Sequence, residues 1–132
     1  MNRRNGPDAN ESAGRQSGRV LVCDENDVDR FAVRHALRES GVASIVHDTA
    51  SVSEALEELK LMTFDCVFIG DSTARTHLFS LLLALNQVDY RGRVVIVAYG
   101  VTHAAAQSAA VPIGFLSIAS LTPERLAASC RL

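Results

Sequence analysis

The chain has 132 residues, 48% of them apolar, 21% charged and 5% aromatic, with three cysteines and a formal net charge of −2. That profile fits one globular domain, and the absence of surplus positive charge argues against a nucleic-acid partner, because a phosphate backbone is held chiefly by clustered Lys and Arg. The longest strongly apolar stretch, Leu78 to Leu85, is interrupted by Ser80 and falls far short of the ~20 residues a membrane-spanning helix needs.

Residues 1 to 18 contain no Val, Ile, Leu or Phe but three of the eight glycines. A segment with so little to bury cannot offset its chain entropy, so it is expected to be a disordered tail, with the folded unit spanning residues 19–132. No apolar stretch flanked by basic residues opens the chain, which makes the cytoplasm the expected compartment.

From Arg19 onward, short apolar runs alternate with segments of helical period. Val20 to Cys23, Ile45-Val46, Cys66 to Ile69, Val94 to Ala98 and Ile113 to Leu116 read as strands. Three of them are unbroken and rich in β-branched residues, as strands buried on both faces of a parallel sheet are. The segment from Ser44 to His47 is short and polar at both ends, as an edge strand can be. Between the first two strands, Val33, Ala36 and Leu37 form an apolar stripe, Arg30, Arg34 and Arg38 the opposite face, and Gly41 a stop. Ser51 to Glu54 is a capping box leading into a Val52, Ala55, Leu56, Leu59 stripe. Further helices are predicted over Thr76 to Val88, over Thr102 to Ala110, and from Pro123, which suits a first helical position. The alternation predicts an α/β domain of (βα)₅ pattern with right-handed crossovers.

Asp24 and Glu25 follow the first buried strand directly, at the end of the sheet where open α/β folds place their ligands. Adjacent carboxylates there suit a hard divalent cation such as Mg²⁺. They equally suit the positive end of the next helix, with Asn26 or Asp27 as its cap. Cys23, Cys66 and Cys130 are widely spaced, with no CxxC pair and no His at zinc-ligand spacing, and are expected to be small buried apolar residues. None of the four histidines suggests a metal or phosphotransfer site, and all are expected at the surface. Ser72, Thr73 and Thr76 read as turn or cap residues.

Taken together, residues 20–30 (VLVCDENDVDR), 49–59 (TASVSEALEEL), 64–69 (FDCVFI), 94–100 (VVIVAYG) and 115–126 (FLSIASLTPERL) resemble the receiver domain of two-component response regulators, in the right order and spacing. The resemblance implies a flavodoxin-like three-layer sandwich with a parallel five-stranded sheet of order 2-1-3-4-5. It also implies a phosphoryl-accepting aspartate at the end of the third strand, a metal held by an acidic pair, and a hydroxyl and a lysine that grip the phosphoryl oxygens. Asp24 and Glu25 match the acidic pair.

The rest of the family's set does not match. Its phosphoacceptor position falls on Gly70, its strand-four hydroxyl on Ala98 and its lysine on Ile118, while the switch aromatic is kept as Phe115. Thirteen basic residues include twelve Arg and one Lys, Lys60, which lies on the second predicted helix, so no shift of register restores the cation. The expectation is a pseudo-receiver that is not an enzyme, binds Mg²⁺ weakly or not at all, and acts by contact with a signalling protein such as a histidine kinase or another regulator domain. Phe79 and Leu83, outside the Leu78, Leu81, Leu82, Leu85 stripe, are the expected interaction surface, and a homodimer is one way to use it. Two alternatives stay open: a receiver that still accepts phosphate on Asp71, and a flavodoxin-like domain holding a small molecule in the vacated pocket.

Overall fold

The computed structural model describes residues 18–99 and 113–130. Strands β1 (Gly18–Cys23), β2 (Ala43–Thr49), β3 (Cys66–Gly70), β4 (Arg93–Ala98) and β5 (Ile113–Ser117) form one sheet, with every neighbouring pair parallel and the spatial order β2-β1-β3-β4-β5. This is the expected 2-1-3-4-5 arrangement. The helices are α1 (Asp27–Ser40), α2 (Val52–Leu61), α3 (Asp71–Gln87) and α4 (Pro123–Cys130). The predicted helix over Thr102 to Ala110 and the tail of residues 1–17 lie outside the described residues. Gly18, assigned to the tail from sequence, is already the first residue of β1.

Alternation along the strands divides the core in two. Val20, Val22, Phe68, Val95 and Val97 face Val33 and Leu37 of α1 and Leu126 of α4. Leu21, Val67, Ile69, Val94 and Ile96 face Ala55 and Leu59 of α2 and Leu78, Leu81 and Leu85 of α3. Side chains on both faces are fully buried, at ~1.5–3 kcal/mol apiece for the larger aliphatic and aromatic ones, which explains why β1, β3 and β4 read as unbroken apolar runs. Among the described residues, no helix is long and apolar enough to cross a membrane.

The helix ends follow local chemistry. Asn26 caps α1 by accepting from the Asp29 N–H, and Gly41 closes it in the left-handed conformation at φ 72°, which a residue without Cβ adopts freely. Ser51 accepts from the Glu54 N–H, while the Glu54 carboxylate reaches back one residue beyond the cap, to the Ala50 N–H.

Two sequence expectations are corrected. The third helix begins at Asp71, not Thr76, with non-helical angles at His77 (φ −135°, ψ 15°) marking a kink close to the expected start. The early turn persists because Asp71 pairs with Arg75 at i,i+4 and the Thr73 hydroxyl is taken up by the Glu25 backbone, contacts that outweigh the turn preference of Ser and Thr. Arg30 is not on a solvated face with Arg34 and Arg38. It is buried, because three acceptors surround it: the Asp24 carbonyl, Asp48 and Asp27.

Candidate functional site

The carboxyl ends of β1, β3 and β4 bring the acidic residues together. Cys23 is opposite Ile69 in the β1–β3 ladder, so Asp24 and Gly70 leave the sheet side by side. Asp24 is fully buried. Its Oδ1 accepts from the Asn26 N–H at 3.1 Å, its backbone carbonyl accepts from Arg30 Nη1 at 2.8 Å, and its Oδ2 has no partner among the described residues. Burial raises the Asp24 pKa, the hydrogen bond from Asn26 lowers it, and the like charge of Asp29 raises it again.

The unpaired Oδ2 occupies a definite space. A Cβ placed on Gly70 would fall on the Asp24 carboxylate and lie 2.6 Å from the Asp24 Cβ. The position where the receiver pattern wants its phosphoacceptor is therefore backbone only, and the room a side chain there would need is taken by Asp24. A groove of about 450 Å³ exists elsewhere, at the edge strand β2, lined by Arg34, Arg38, Val46, His47, Asp48, Thr49, Glu54 and Glu58.

Asp71, one residue on, is buried and committed. Its Oδ2 accepts from Arg75 Nε at 2.9 Å and Nη2 at 2.7 Å, and its Oδ1 accepts from the Tyr99 N–H at 3.2 Å. The Tyr99 hydroxyl donates to Asp29 Oδ1 at 2.6 Å, and that bond, ahead of burial, raises the Tyr99 pKa. The residue following Ala98 thus spans from the start of α3 to the first turn of α1, although its ring is exposed. Glu25 donates its N–H to Thr73 Oγ1 at 2.9 Å, and its Oε2 lies 3.3 Å from Thr76 Oγ1 and 3.4 Å from His77 Nε2.

The remaining pattern positions separate. Ala98 and Phe115 pack against the core on the α2–α3 side, whereas Ile118, in a 3₁₀ turn (Ile118–Ser120), packs against the core on the α1–α4 side. Lys60 lies on α2, 3.8 Å from Glu57. Phe79 and Leu83 are exposed, at 80% and 50%. His35 and His77 are exposed, but His47 is half-buried, 2.7 Å from Glu58 and edge-on to Phe64.

Mg²⁺ wants near-octahedral oxygen donors. The donor set here is poor for it: Asp24 Oδ2 points into the notch at Gly70, Glu25 is drawn toward Thr76 and His77, and Gly70 supplies no carboxylate. Among the described residues no group of three or more His, Cys, Asp or Glu is arranged to hold a metal. The sequence places Asp24 and Glu25 after β1, at the carboxyl end of the sheet, but carries no sign of the contacts made there by Arg30, Thr73 and Arg75 or of the Tyr99–Asp29 link. Only the Asp71/Arg75 spacing was a readable signal.

No protein-family model matches the chain, and no curated protein matches it. Solved structures do. The receiver domain of the histidine kinase CKI1 from Arabidopsis thaliana, complexed with Mg²⁺ and BeF₃⁻, is 22% identical at TM-score 0.68, covering 85% of this chain and 86% of that one. A response regulator receiver domain protein from Bacillus halodurans is 18% identical at TM-score 0.68, over 89% and 99% of the two chains. The signal receiver domain of the response regulator NarL from Mycobacterium tuberculosis is 22% identical at TM-score 0.62, over 86% and 97%. The fold is that of a response-regulator receiver domain. Within that fold this chain carries Asp24 and Glu25 after β1, Gly70 at the end of β3, Ala98 at the end of β4 and Ile118 after β5.

Proposed function

We propose that this receiver-like domain works in two-component signalling by protein–protein contact, without accepting a phosphoryl group and without an enzymatic activity of its own. The observation that carries the proposal is the Asp24 carboxylate in the space of a side chain at position 70. Phosphoryl transfer to a carboxylate needs an oxygen lone pair free for in-line attack, with cations to neutralise the incoming oxygens. Asp71, the nearest replacement, has both oxygens engaged, one by the Arg75 guanidinium and one by the Tyr99 N–H. Ala98 and Ile118 offer neither the hydroxyl nor the ammonium.

In this reading Mg²⁺ binds weakly at most, to Asp24 and Glu25, and supplies no step. Phe79 and Leu83 on α3 form the apolar contact for a signalling protein, a histidine kinase or another regulator domain, or for a second copy of the chain. The test is incubation with acetyl phosphate and Mg²⁺ followed by intact mass. The expected result is an unchanged mass. A phosphate adduct that disappears in Asp71→Asn would overturn the proposal and establish Asp71 as the acceptor.

A further inference from the structure

The edge strand β2 borders an open groove between α1 and α2 of about 450 Å³, within the ~300–1,000 Å³ of ligand clefts. β2 pairs with β1 on one side, and no described strand lies on the other. The Thr49 carbonyl accepts from the Asp24 N–H at 3.1 Å, so Thr49 turns its backbone groups inward to β1. The N–H and C=O of one strand residue point the same way and alternate along the strand. His47 therefore also faces β1, while Val46 and Asp48 present their backbone groups to the groove.

The two walls of the groove carry opposite charge. On the α1 side, Arg34 Nη1 lies 3.4 Å from Asp48 Oδ1, while Arg38 is exposed and has no carboxylate partner among the described residues. On the α2 side stand Glu54, whose carboxylate accepts from the Ala50 N–H, and Glu58, 2.7 Å from His47. The side chains of β2 alternate between the walls. Val46 and Asp48 point toward α1, His47 points toward α2, and Ile45, 42% exposed, is on the His47 side. A second copy pairing edge to edge in one continuous sheet would keep each face on its own side. That would set Arg34 and Arg38 against their own copies, and Glu54 and Glu58 against theirs, an unfavourable pairing of like charges. Opposite walls instead fit one extended segment whose alternate side chains are acidic toward α1 and basic toward α2.

We propose that β2 is a docking edge for an extended peptide segment of another protein, which adds to the sheet as a sixth strand. The segment bonds to the Val46 and Asp48 backbone, sets acidic side chains beside Arg34 and Arg38, and sets basic or aliphatic ones beside Ile45, Glu54 and Glu58. The backbone bonds supply affinity, and the two charged walls select the sequence and its orientation. The groove uses neither the Asp24–Gly70 notch nor Phe79 and Leu83, so it stands or falls independently of phosphoryl acceptance.

The experiment titrates the full chain into a fluorescein-labelled nonapeptide in which Glu alternates with Val or Lys, and reads fluorescence anisotropy. Methylating one alternate set of the peptide's amide nitrogens is expected to weaken binding at least about tenfold, and methylating the other set to leave it unchanged, because only one set faces β2. Arg38→Glu is expected to weaken binding about threefold to tenfold and to favour the peptide with Glu and Lys exchanged. Arg91→Glu and Phe79→Ser, at exposed positions outside the groove, are expected to leave binding within about twofold. Amide hydrogen exchange followed by NMR is expected to slow at Val46 and Asp48 on binding and to stay unchanged at His47 and Thr49. Four outcomes would each overturn the proposal: no binding of the nonapeptide, equal loss from the two methylated sets, binding abolished by Phe79→Ser, or protection of Val46 and Asp48 that grows with the concentration of the chain alone, as a second copy on the edge would give.

Discussion

Gly70→Ala separates the effect of the chain from the effect of one neighbour. The backbone at Gly70 has φ −75° and ψ 165°, an ordinary extended conformation open to any residue. On chain entropy alone, alanine there should stabilise the fold by about 0.4–1 kcal/mol. The structure predicts the opposite sign, because the new Cβ would fall on the Asp24 carboxylate and sit 2.6 Å from the Asp24 Cβ. Overpacking a filled site costs about 1–3 kcal/mol, and Asp24 is held by the Asn26 N–H and cannot turn away without leaving its Oδ1 unpaired. The net expectation is a loss of about 1–2 kcal/mol, which at an m-value near 2 kcal/mol/M lowers the urea midpoint by about 0.5–1 M. Asp24→Gly removes the three nearest clashing atoms, Oδ2, Cγ and Cβ. In that background the same Gly70→Ala change should be neutral or stabilising, so a double-mutant cycle followed by circular dichroism should show a coupling of at least about 1 kcal/mol. Gly70→Ala at wild-type stability, or an equal loss in both backgrounds, would refute the placement of Asp24 and with it the main support for a domain that does not take phosphate.

Other perturbations have defined outcomes. The Asp24 pKa is raised above its ordinary 3.8, so the folded state holds a proton more readily than the unfolded chain, and stability is lost as pH rises through the window between the two values. Asp24→Asn lacks that slope: its advantage over wild type in urea unfolding should open as pH rises above the ordinary carboxylate value, and a gap that is constant or closes would contradict the assignment. Arg30→Ala leaves the Asp24 carbonyl without its donor and Asp48 with Arg34 alone, and is expected to cost about 1–3 kcal/mol, against under about 0.5 kcal/mol for the exposed Arg91→Ala, both by thermal melts. Phe79→Ser, at a side chain 80% exposed, should leave stability within about 0.5 kcal/mol, whereas Leu81→Ala, fully buried two residues later, should cost about 2–5 kcal/mol. Equal losses for the two would mean that Phe79 is part of the core and not a contact surface.

How far the sequence carries follows from what each feature depends on. β1, β3 and β4 are covered on both faces, so their burial is written as continuous β-branched runs, and the capping box and Gly41 act within a few residues of themselves. The order of the strands rests on the family resemblance, whereas the crossover rule gives only the hand of each connection. The start of α3 was missed because it depends on partners far away in sequence: Thr73 is fixed by Glu25, and Asp71 by the Tyr99 N–H as well as by Arg75. Arg30 was misplaced for a related reason, since helical periodicity places a residue on a face but says nothing of Asp48 arriving from β2 to meet it.

The site divides along the same line. The sequence can be counted against the pattern the resemblance implies, and its single lysine lies on α2, away from that pattern's position in any register. What the pattern's positions hold instead could not be read, because it turns on where one carboxylate rotates once β1 and β3 lie side by side. Under the resemblance, a glycine at the end of β3 reads in sequence merely as an aspartate that is not there. In the fold it is the condition that lets Asp24 sink to zero exposure, keep its bond from Asn26 and offer its carbonyl to Arg30, which in turn draws Asp48 and Asp27. On the proposed function, an aspartate placed at position 70 alone would therefore not make a phosphate-accepting site. The new side chain would compete with Asp24 for one volume, and under the alignment that the resemblance implies, a hydroxyl at 98 and an ammonium at 118 would be needed beside it.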